Sequence, residues 1–379
     1  FKKWGSQEEF DENPMDHMYD LYVKLHDEAD EGDKEKAREW SKKIEEGDEE
    51  AVELWEMFRE ATIEHNKKEY KRMGIEFDRW TGESVVAEQA QEIIEEGLEK
   101  EIFTEDEDGS IYVDFEDEKY PSTIVKRSDG STLYLSRDIA NIRKRAEEGF
   151  DYNIYVVANE QDLHFQQLFE ITDMFGIKGM QSEHISYGLV HLQEGSISSS
   201  KGNIIRLSDM MDKAVEKAAQ VEQRDIGNAE EVGLGAIRYA NLSVSRSKDT
   251  EFNWNQVLDF EGDSGPYLQY TNVRAKSILR ETSQKGEIVG KVTEEEYKLI
   301  KKMSKFPEKV KRAADQREPA KIANYLSNLS EEFNSFYHSS QVTGVQTETE
   351  KRRVKVVETF VQVPDQGLEL LGIEPLDEM

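Results

Sequence analysis

Residues 154–165 read Ile154-Tyr155-Val156-Val157-Ala158-Asn159-Glu160-Gln161-Asp162-Leu163-His164-Phe165. The opening apolar run has the length of a buried strand, and a helical pattern follows it over 161–175. Around this segment the two patterns alternate, because 133–135 and 185–190 are predicted strands and 137–148 is a predicted helix. Alternation of this kind, with apolar runs fit for burial on both faces, predicts a parallel sheet with crossover helices.

The rest of the chain has a mainly helical pattern. Apolar residues recur three or four positions apart over 15–73 and again over 87–98, which indicates amphipathic helices with acidic outer faces. An acidic turn that ends at Gly109 precedes the alternating residues Ile111, Val113 and Phe115, which predicts a turn and a strand. No strand is predicted after Ser208. We therefore expect an α/β domain followed by an all-α domain, with a boundary near residues 250–262.

Composition limits the class of protein. The 379 residues suggest two or three domains. No apolar stretch approaches the ~20 residues of a membrane helix, so no membrane partner is expected, and the absence of cysteine fits a cytoplasmic protein. The 49 lysines and arginines stand against 81 aspartates and glutamates, which gives a formal net charge of −32. Taken as a total, that charge argues against a nucleic-acid partner, because phosphate binding depends on Lys and Arg.

Three weaker signals are better explained by packing or turns than by chemistry. The acidic turn lacks a carboxylate at the first and twelfth positions of a calcium loop, which in this chain are Thr104 and Phe115. Gly233 and Gly235 resemble part of a dinucleotide fingerprint, but no strand precedes them, which indicates a close helix contact. The seven histidines lack zinc spacing, so no metal site is predicted.

A serine-rich loop follows the predicted strand 185–190. It reads Glu194-Gly195-Ser196-Ile197-Ser198-Ser199-Ser200-Lys201-Gly202-Asn203. Hydroxyls, glycines and one lysine can approach phosphates closely and donate several hydrogen bonds to them. By composition alone, a flexible surface loop is the simpler interpretation.

The motifs around this loop resemble one known family in their order. Upstream lie Gly130-Ser131-Thr132-Leu133-Tyr134-Leu135-Ser136-Arg137-Asp138-Ile139-Ala140 and the segment 154–165, and His184-Ile185-Ser186-Tyr187-Gly188-Leu189-Val190 leads into the loop. In this order they resemble the catalytic domain of arginyl-tRNA synthetases, class I enzymes in which the loop corresponds to the phosphate-binding KMSKS signature. The C-terminal half agrees through Ile237-Arg238-Tyr239-Ala240-Asn241-Leu242-Ser243, Gly265-Pro266-Tyr267-Leu268-Gln269-Tyr270 and Leu370-Leu371-Gly372-Ile373-Glu374-Pro375. The resemblance runs from Trp4 to Met379.

The resemblance implies a Rossmann-like class I catalytic domain followed by an all-α helical-bundle anticodon-binding domain. Its domains would be a catalytic part over 1–206 with an inserted segment near 83–130, a helical region over 207–255 that contacts the tRNA stem, and the anticodon domain over 256–379. The family's His-x-Gly-His signature would lie before Phe1. The catalytic domain is therefore expected to be incomplete at its N-terminus, and these residues alone are not expected to aminoacylate.

Members of this family join arginine to ATP as an adenylate and pass the arginyl group to the 3′ end of tRNA. The implied partners are tRNA(Arg), L-arginine and ATP, with Mg²⁺ accompanying ATP and no tightly bound cofactor. A guanidinium is planar and always charged, so selecting it requires a carboxylate and a second polar group. By resemblance, Asp138 is that carboxylate, and Tyr134 and Gln161 complete the arginine site. The alternative role for Asp138, a carboxylate favoured by the helix dipole, is compatible with this one.

The remaining site residues are also implied by the resemblance. ATP would meet His164, Tyr187, Gly188, Leu189, Val190 and Lys201, although a buried helix-capping role is the alternative for His164. Ser198, Ser199, Ser200 and Lys201 would stabilise charge on the departing pyrophosphate. Ser196 and Ser200 occupy positions that are often basic in the family, which leaves Lys201 as the sole cation of the loop.

Tyr267 and Tyr270 lie three apart on a predicted helix and share one face. By resemblance this face meets the anticodon, together with Tyr337 and Met379; a core stripe is the alternative. Two basic stretches, 301–312 and 351–353, either face tRNA or are solvated helix faces. A monomer is expected. The alternative function is that of a non-catalytic tRNA-binding or interaction protein derived from the same fold.

The net charge then has a different meaning. Binding depends on local potential, and stacking with shape supplies recognition that total charge does not report. A tRNA-binding protein this acidic would repel its substrate unless salt screened it, and the screening length is about 3 Å at 1 M salt. We therefore expect a salt-adapted protein whose stability and activity rise from low to molar KCl. Loss of both as the salt concentration rises would contradict this expectation.

Overall fold

A computed structural model describes residues 1–115, 119–128, 132–192, 206–221 and 227–379. The chain divides into two compact units. The sheet unit consists of Phe77–Val190 and Ser245–Thr250, and the helical unit of Phe1–Glu76, His191–Val244 and Glu251–Met379. This division differs from the three predicted domains, whose boundaries stay a prediction.

Helices make up most of the described chain, and the strands between them are short. In chain order the helices are α1 Gln7–Glu12, α2 Pro14–Glu28, α3 Glu31–Glu45, α4 Glu49–Arg72, α5 Ala87–Glu99, α6 Tyr134–Glu147, α7 Asp162–Met174, α8 Leu207–Val221, α9 Ala229–Leu242, α10 Trp254–Val257, α11 Gly265–Glu281, α12 Glu294–Met303, α13 Phe306–Gln316, α14 Ala320–Ser339 and α15 Thr347–Leu370. The strands are β1 Thr104–Glu105, β2 Ile111–Val113, β3 Thr123–Lys126, β4 Tyr152–Ala158, β5 Gln181–Tyr187, β6 Val190–Leu192 and β7 Thr250–Phe252. Short 3₁₀ turns cover Glu83–Val86 and Asn159–Gln161.

The sheet unit contains the predicted parallel pairing. β4 and β5 run parallel in register from Tyr152 opposite Gln181 to Ala158 opposite Tyr187. The predicted acidic turn also forms, because β1 and β2 pair antiparallel on either side of it and β3 adds a third strand. Helices α5, α6 and α7 contribute buried residues to the core of this unit, among them Ile93, Ile139 and Leu168.

The prediction that 133–135 is a strand is wrong. Leu133 is the N-cap of α6, whose first residue is Tyr134. Leu135 belongs to a buried stripe with Ile139 and Ile142, which has the spacing of a helix and overrides the short alternation. The backbone N–H of Leu133 donates to the Val125 carbonyl at 3.0 Å, so extended pairing ends where the helix begins.

Three further strand predictions need correction. β4 is not buried on both faces, since Ile154 is 45% and Val156 66% exposed, while Tyr155 and Val157 pack against the core. The strand predicted over 185–190 ends at Tyr187, and β6 begins after it at Val190. A strand also occurs after Ser208, because β6 pairs with β7. Three residues are too short a run for a period-2 pattern to be read in the sequence.

The helical unit is built around a core contributed mainly by α11 to α15. Among its fully buried side chains are Leu268, Phe333 and Phe360, and the last two rings stack at a centroid distance of 4.0 Å. Side-chain caps define where helices begin: Ser264 caps α11 by accepting from Tyr267 N–H, with Pro266 in the first turn. In the described residues, no helix has both the length and the apolar character needed to cross a membrane.

A buried ion-pair cluster joins α12 to α15 in the helical unit. Glu296 is fully buried, and its carboxylate accepts from the guanidinium groups of Arg352 at 2.8 Å and Arg353 at 3.0 Å. The same carboxylate accepts from the backbone N–H of Thr293, whose hydroxyl caps α12. All three residues of the basic stretch 351–353 are therefore paired with carboxylates, Arg352 and Arg353 with the buried Glu296 and Lys351 with the exposed Glu287.

Gly233 allows α8 and α9 to approach each other, as the sequence predicts. A Cβ at this position would lie 2.8 Å from the Val215 backbone nitrogen and 2.9 Å from the Ala214 carbonyl carbon. We expect Gly233→Ala to lower the free energy of unfolding by about 1–3 kcal/mol through overpacking, despite the better helix propensity of alanine. Chemical denaturation measures this, and Gly32→Ala in α3, which meets only a flexible side chain, is the control. A Gly233→Ala variant as stable as the control would contradict the close contact.

Candidate functional site

The carboxyl ends of β4 and β5 lie side by side and position most of the predicted site residues of the sheet unit. After β4 the chain makes a 3₁₀ turn that ends at Gln161, and α7 begins at Asp162. After β5 come Gly188 and Leu189. Ligands of parallel α/β sheets bind at this edge, because the loops that leave the strands converge there. Gln161, Tyr187 and Leu189 are exposed at this edge.

Asp138 and His164 are brought into direct contact. The His164 Nε2 donates to the Asp138 carboxylate at 2.8 Å, and each side chain is 26% exposed. Asp138 lies on α6 and His164 in the first turn of α7, so the contact joins two helices. The structure therefore unites one residue predicted for arginine with one predicted for ATP.

Tyr134 begins α6 one turn before Asp138, as the sequence predicts. Its side chain is 68% exposed. Residues four apart on a helix lie on the same face, so the exposed Tyr134 ring is next to the half-buried Asp138 carboxylate. Tyr134 and Asp138 thus present a flat ring and a negative charge on the same part of α6.

His184 is a residue that the sequence analysis missed. It lies on β5, where its ring stacks on Phe165 at a centroid distance of 4.3 Å. Its Nε2 donates to the Val157 carbonyl at 3.0 Å, and its Nδ1 lies 3.2 Å from an Asp162 oxygen. His184 thereby fixes the first turn of α7, on which His164 lies. Its place on a strand one residue before Ile185 gave no signal in the sequence.

The backbone between β5 and β6 is held by residues 246–250. Gly188 N–H donates to the Arg246 carbonyl at 2.7 Å, and Leu189 N–H donates to the Asp249 carboxylate at 2.8 Å. A Cβ on Gly188 would lie 2.3 Å from the Lys248 carbonyl carbon, so only glycine fits there. These two N–H groups are already used within the protein. The contact of Tyr187, Gly188, Leu189 and Val190 with ATP stays a prediction.

The serine loop carries the remaining predicted residues of this site. Ser198, Ser199, Ser200 and Lys201 lie outside the residues that the structure describes. Their predicted role as the phosphate-binding and catalytic loop therefore rests on the sequence.

A second cluster of predicted residues lies in the helical unit between α11 and α14. The Arg274 guanidinium lies over the Tyr270 ring at 4.7 Å and over the Tyr337 ring at 5.5 Å. Asn334 accepts from Arg274 at 3.0 Å and donates to the Tyr267 hydroxyl at 3.0 Å. Tyr337 is 39% exposed, so the cluster reaches the surface. Three of the four predicted anticodon residues therefore share one polar and aromatic patch, which we call the α11–α14 patch.

Arg274 and Asn334 were missed by the sequence analysis. Arg274 follows Tyr270 by one helical turn, and that spacing could have identified it. Met379, the fourth predicted residue, packs with Trp254 against a different apolar cluster, which contains Leu258 and Leu376. In the described residues, no group of three or more His, Asp or Glu side chains could hold a metal ion.

Comparisons with known proteins identify two family models in the chain. The model of class I tRNA synthetases (R), catalytic domain, matches residues 1–254, and the DALR anticodon binding domain matches 268–379. The arginine–tRNA ligase of Halothermothrix orenii is 36% identical over all of this chain and 69% of its own length. The arginine–tRNA ligase of Clostridioides difficile is 34% identical, with the same coverage.

Solved structures agree with this assignment at the level of the fold. The arginyl-tRNA synthetase of Plasmodium falciparum matches 95% of this chain and 68% of its own with a TM-score of 0.79 at 21% identity. That of Thermus thermophilus matches 95% and 73% with a TM-score of 0.71 at 20% identity. The sequence-based prediction of a class I catalytic domain and a helical anticodon domain is confirmed, and the chain belongs to the arginyl-tRNA synthetase family.

Proposed function

We propose that this chain carries the arginine-activating and anticodon-binding machinery of an arginine–tRNA ligase. The observation that supports this most directly is Asp138, a carboxylate held by His164 at the carboxyl edge of β4 and β5. A half-buried carboxylate with an exposed tyrosine one turn away suits a planar cation. The substrates would be L-arginine, ATP and tRNA(Arg).

In this proposal Asp138 binds the arginine guanidinium through two parallel hydrogen bonds. The Tyr134 ring lies beside the plane of the bound guanidinium, and Gln161 contributes a polar group from the turn after β4. Lysine would be rejected because a single ammonium cannot satisfy a fork-shaped pair of acceptors. His164 positions the Asp138 carboxylate by donating a hydrogen bond to one of its oxygens. His164 would therefore have two roles, since it is also proposed to contact ATP.

Activation then consists of attack by the arginine carboxylate on the α-phosphate of ATP, with pyrophosphate as the leaving group. No protein nucleophile is required, because the chemistry depends on positioning and on stabilising charge. Ser198, Ser199, Ser200 and Lys201 would supply that stabilisation on the triphosphate. Mg²⁺ would arrive bound to ATP.

The arginyl group would then pass to the terminal adenosine of tRNA(Arg) while the α11–α14 patch holds the anticodon. The domain boundaries 1–206, 207–255 and 256–379 belong to this proposal, as do a monomeric state, a cytoplasmic site of action and adaptation to high salt. Met379 would contribute to anticodon binding from the neighbouring apolar cluster.

The test is catalysis by the protein expressed from its complete reading frame. We expect arginine-dependent, tRNA-stimulated pyrophosphate exchange and charging of tRNA(Arg), with lysine inactive in both assays. Binding of tRNA(Arg) without exchange or charging would overturn this function and support the non-catalytic alternative.

The tyrosines of the α11–α14 patch are expected to stack on unpaired anticodon bases. Stacking of a base on an aromatic ring contributes about 1–3 kcal/mol, so Tyr270→Ala and Tyr337→Ala should each weaken tRNA(Arg) binding about tenfold. Filter binding at one fixed salt concentration measures the affinity, because salt alone changes it strongly.

Two controls separate stacking from loss of structure. Tyr337→Phe keeps the ring and should bind nearly as the parent protein does. Tyr297→Ala removes a tyrosine that is 53% exposed on α12 of the same unit and should leave the affinity unchanged. Equal affinities for all four variants would remove the patch from the anticodon site.

A further inference from the structure

A cavity of about 350 Å³ opens in the sheet unit beside the first residues of β4. Its polar lining includes Arg79, Lys144, Arg145, Glu148 and Asn153. Asn153 is the second residue of β4, whereas Gln161 and His164 follow the other end of that strand, about 20 Å away at about 3.3 Å per residue. Tyr134 and Asp138 lie on α6, where Asp138 precedes Lys144 by about 9 Å at about 1.5 Å per residue. None of these four residues lines the cavity, which is therefore a different site from the proposed active site.

The charge of this cavity is positive in a chain of net charge −32. Arg79 pairs with Glu148, the one carboxylate among the lining residues. Lys144 and Arg145 are both half-buried, and in the part of the chain that the structure describes neither has a carboxylate within ion-pair distance. Three cations thus face one carboxylate. The carboxyl end of α6 adds roughly half a negative charge, which leaves the cavity positive.

A buried hydrogen-bond donor also lacks a partner at this cavity. Asn153 is 8% exposed, and its Oδ1 accepts from the Arg145 guanidinium at 3.0 Å. That bond orients the amide. Its Nδ2 and the Tyr155 hydroxyl beside it are both buried, and in the described residues neither has a partner that meets hydrogen-bond geometry. Burying a donor without an acceptor is unfavourable, so a ligand that supplies an acceptor would be stabilised there.

We propose that this cavity binds a phosphate group. A phosphate offers several acceptor oxygens and up to two negative charges, which match the Asn153 amide and the cations Lys144 and Arg145. The phosphate could belong to a free phosphate or phosphomonoester, or to the backbone of bound tRNA. In both cases Lys144 supplies a point charge, and Arg145 both holds Asn153 and contributes its own charge.

The first arm of the test measures thermal unfolding of the full chain with rising potassium phosphate, with KCl adjusted to keep the ionic strength constant. A ligand that binds only the folded state raises the unfolding temperature in proportion to the logarithm of its concentration above Kd. Lys144→Gln should weaken the apparent phosphate affinity about tenfold, since it removes one charge-assisted hydrogen bond. Asn153→Asp should abolish binding, because it replaces the donor by a repelling carboxylate.

The second arm measures tRNA affinity of the same variants by filter binding. Asn153→Asp can still accept from Arg145, so it should fold, and its circular dichroism spectrum verifies this. Lys178→Gln is the matched control, since Lys178 is an exposed lysine of the same unit outside the cavity.

The outcomes distinguish the two sources. Phosphate-specific stabilisation that Lys144→Gln and Asn153→Asp lose and Lys178→Gln keeps identifies a free phosphate ligand. No such stabilisation, but weaker tRNA binding by the same two variants alone, identifies a backbone phosphate. Absence of both effects would overturn the proposal and leave the proposed ligase activity untouched.

Discussion

Asp138→Asn is expected to lower kcat/KM for arginine by about three orders of magnitude, which corresponds to about 4 kcal/mol of transition-state stabilisation. Asparagine keeps the shape of the side chain and can still accept from His164, so the variant should fold. It loses the negative charge and turns an amide nitrogen toward the guanidinium, which leaves a charged donor without its acceptor. Arginine-dependent pyrophosphate exchange by the protein from the complete reading frame measures the effect.

A matched control separates the charge of Asp138 from the general acidity of the chain. Asp151→Asn removes one negative charge from an exposed residue of the same unit. Its backbone carbonyl accepts a hydrogen bond from Gln181 N–H at 2.9 Å, and the substitution keeps that bond. Its kcat/KM should equal that of the parent protein. If Asp138→Asn stays within threefold of Asp151→Asn, the guanidinium is bound by another group.

Glu296→Ala is expected to lower the free energy of unfolding by about 3–5 kcal/mol, because it leaves Arg352 and Arg353 nearly buried without a counter-ion. The two arginine side chains are only 11% and 15% exposed. A loss of this size is a large part of the total stability of a domain, which is about 5–15 kcal/mol. Urea unfolding monitored by circular dichroism measures it.

Glu294→Ala on the same helix is the control. Glu294 is 75% exposed and pairs with Lys298 at a spacing of one turn, so its loss should change stability by at most about 0.5 kcal/mol. Similar stabilities for the two variants would mean that the buried cluster has no net energetic role.

The Glu296 cluster also predicts a dependence of stability on pH. Burial alone would raise the pKa of Glu296, but hydrogen bonds from Arg352, Thr293 N–H and Arg353 outweigh it and hold the pKa below its usual value. A glutamate whose pKa is lowered on folding stabilises the protein above its unfolded pKa of about 4.3. This contribution is lost as the pH falls through the folded pKa. The parent protein should therefore lose more stability than Glu296→Ala between pH 7 and that range.

The sequence predicted what depends on local pattern. The parallel pairing of β4 and β5 follows from two apolar runs separated by a helical pattern, and the close contact at Gly233 follows from glycines inside a helix. Sequence patterns gave wrong secondary structure where an element had to be inferred from only three residues, as at 133–135 and in β7. The prediction that Ile154 and Val156 are buried was also wrong. An apolar side chain favours burial, but the sequence does not show whether another element packs against it.

The residues of the candidate site were named one by one from motifs, and the contacts between them could not be predicted. Asp138 and His164 were each named from motifs, whereas their 2.8 Å hydrogen bond joins residues 26 positions apart on different helices. The partners of the tyrosines, Arg274 and Asn334, have no motif of their own. The cation excess around Asn153 is hidden because sequence order does not place Arg79 beside Lys144.

The sheet unit comes almost entirely from one stretch of chain and the helical unit from three stretches, and this difference has a consequence for biosynthesis. Residues 77–190 supply almost all of the sheet unit, so most of its core can form from one continuous stretch as the ribosome releases it. The helical unit is assembled from three separated stretches, and its core waits for residues beyond 250. Helix α4 therefore emerges long before its later partners α8 and α9, with which its Arg72 forms ion pairs through Asp212 and Glu230.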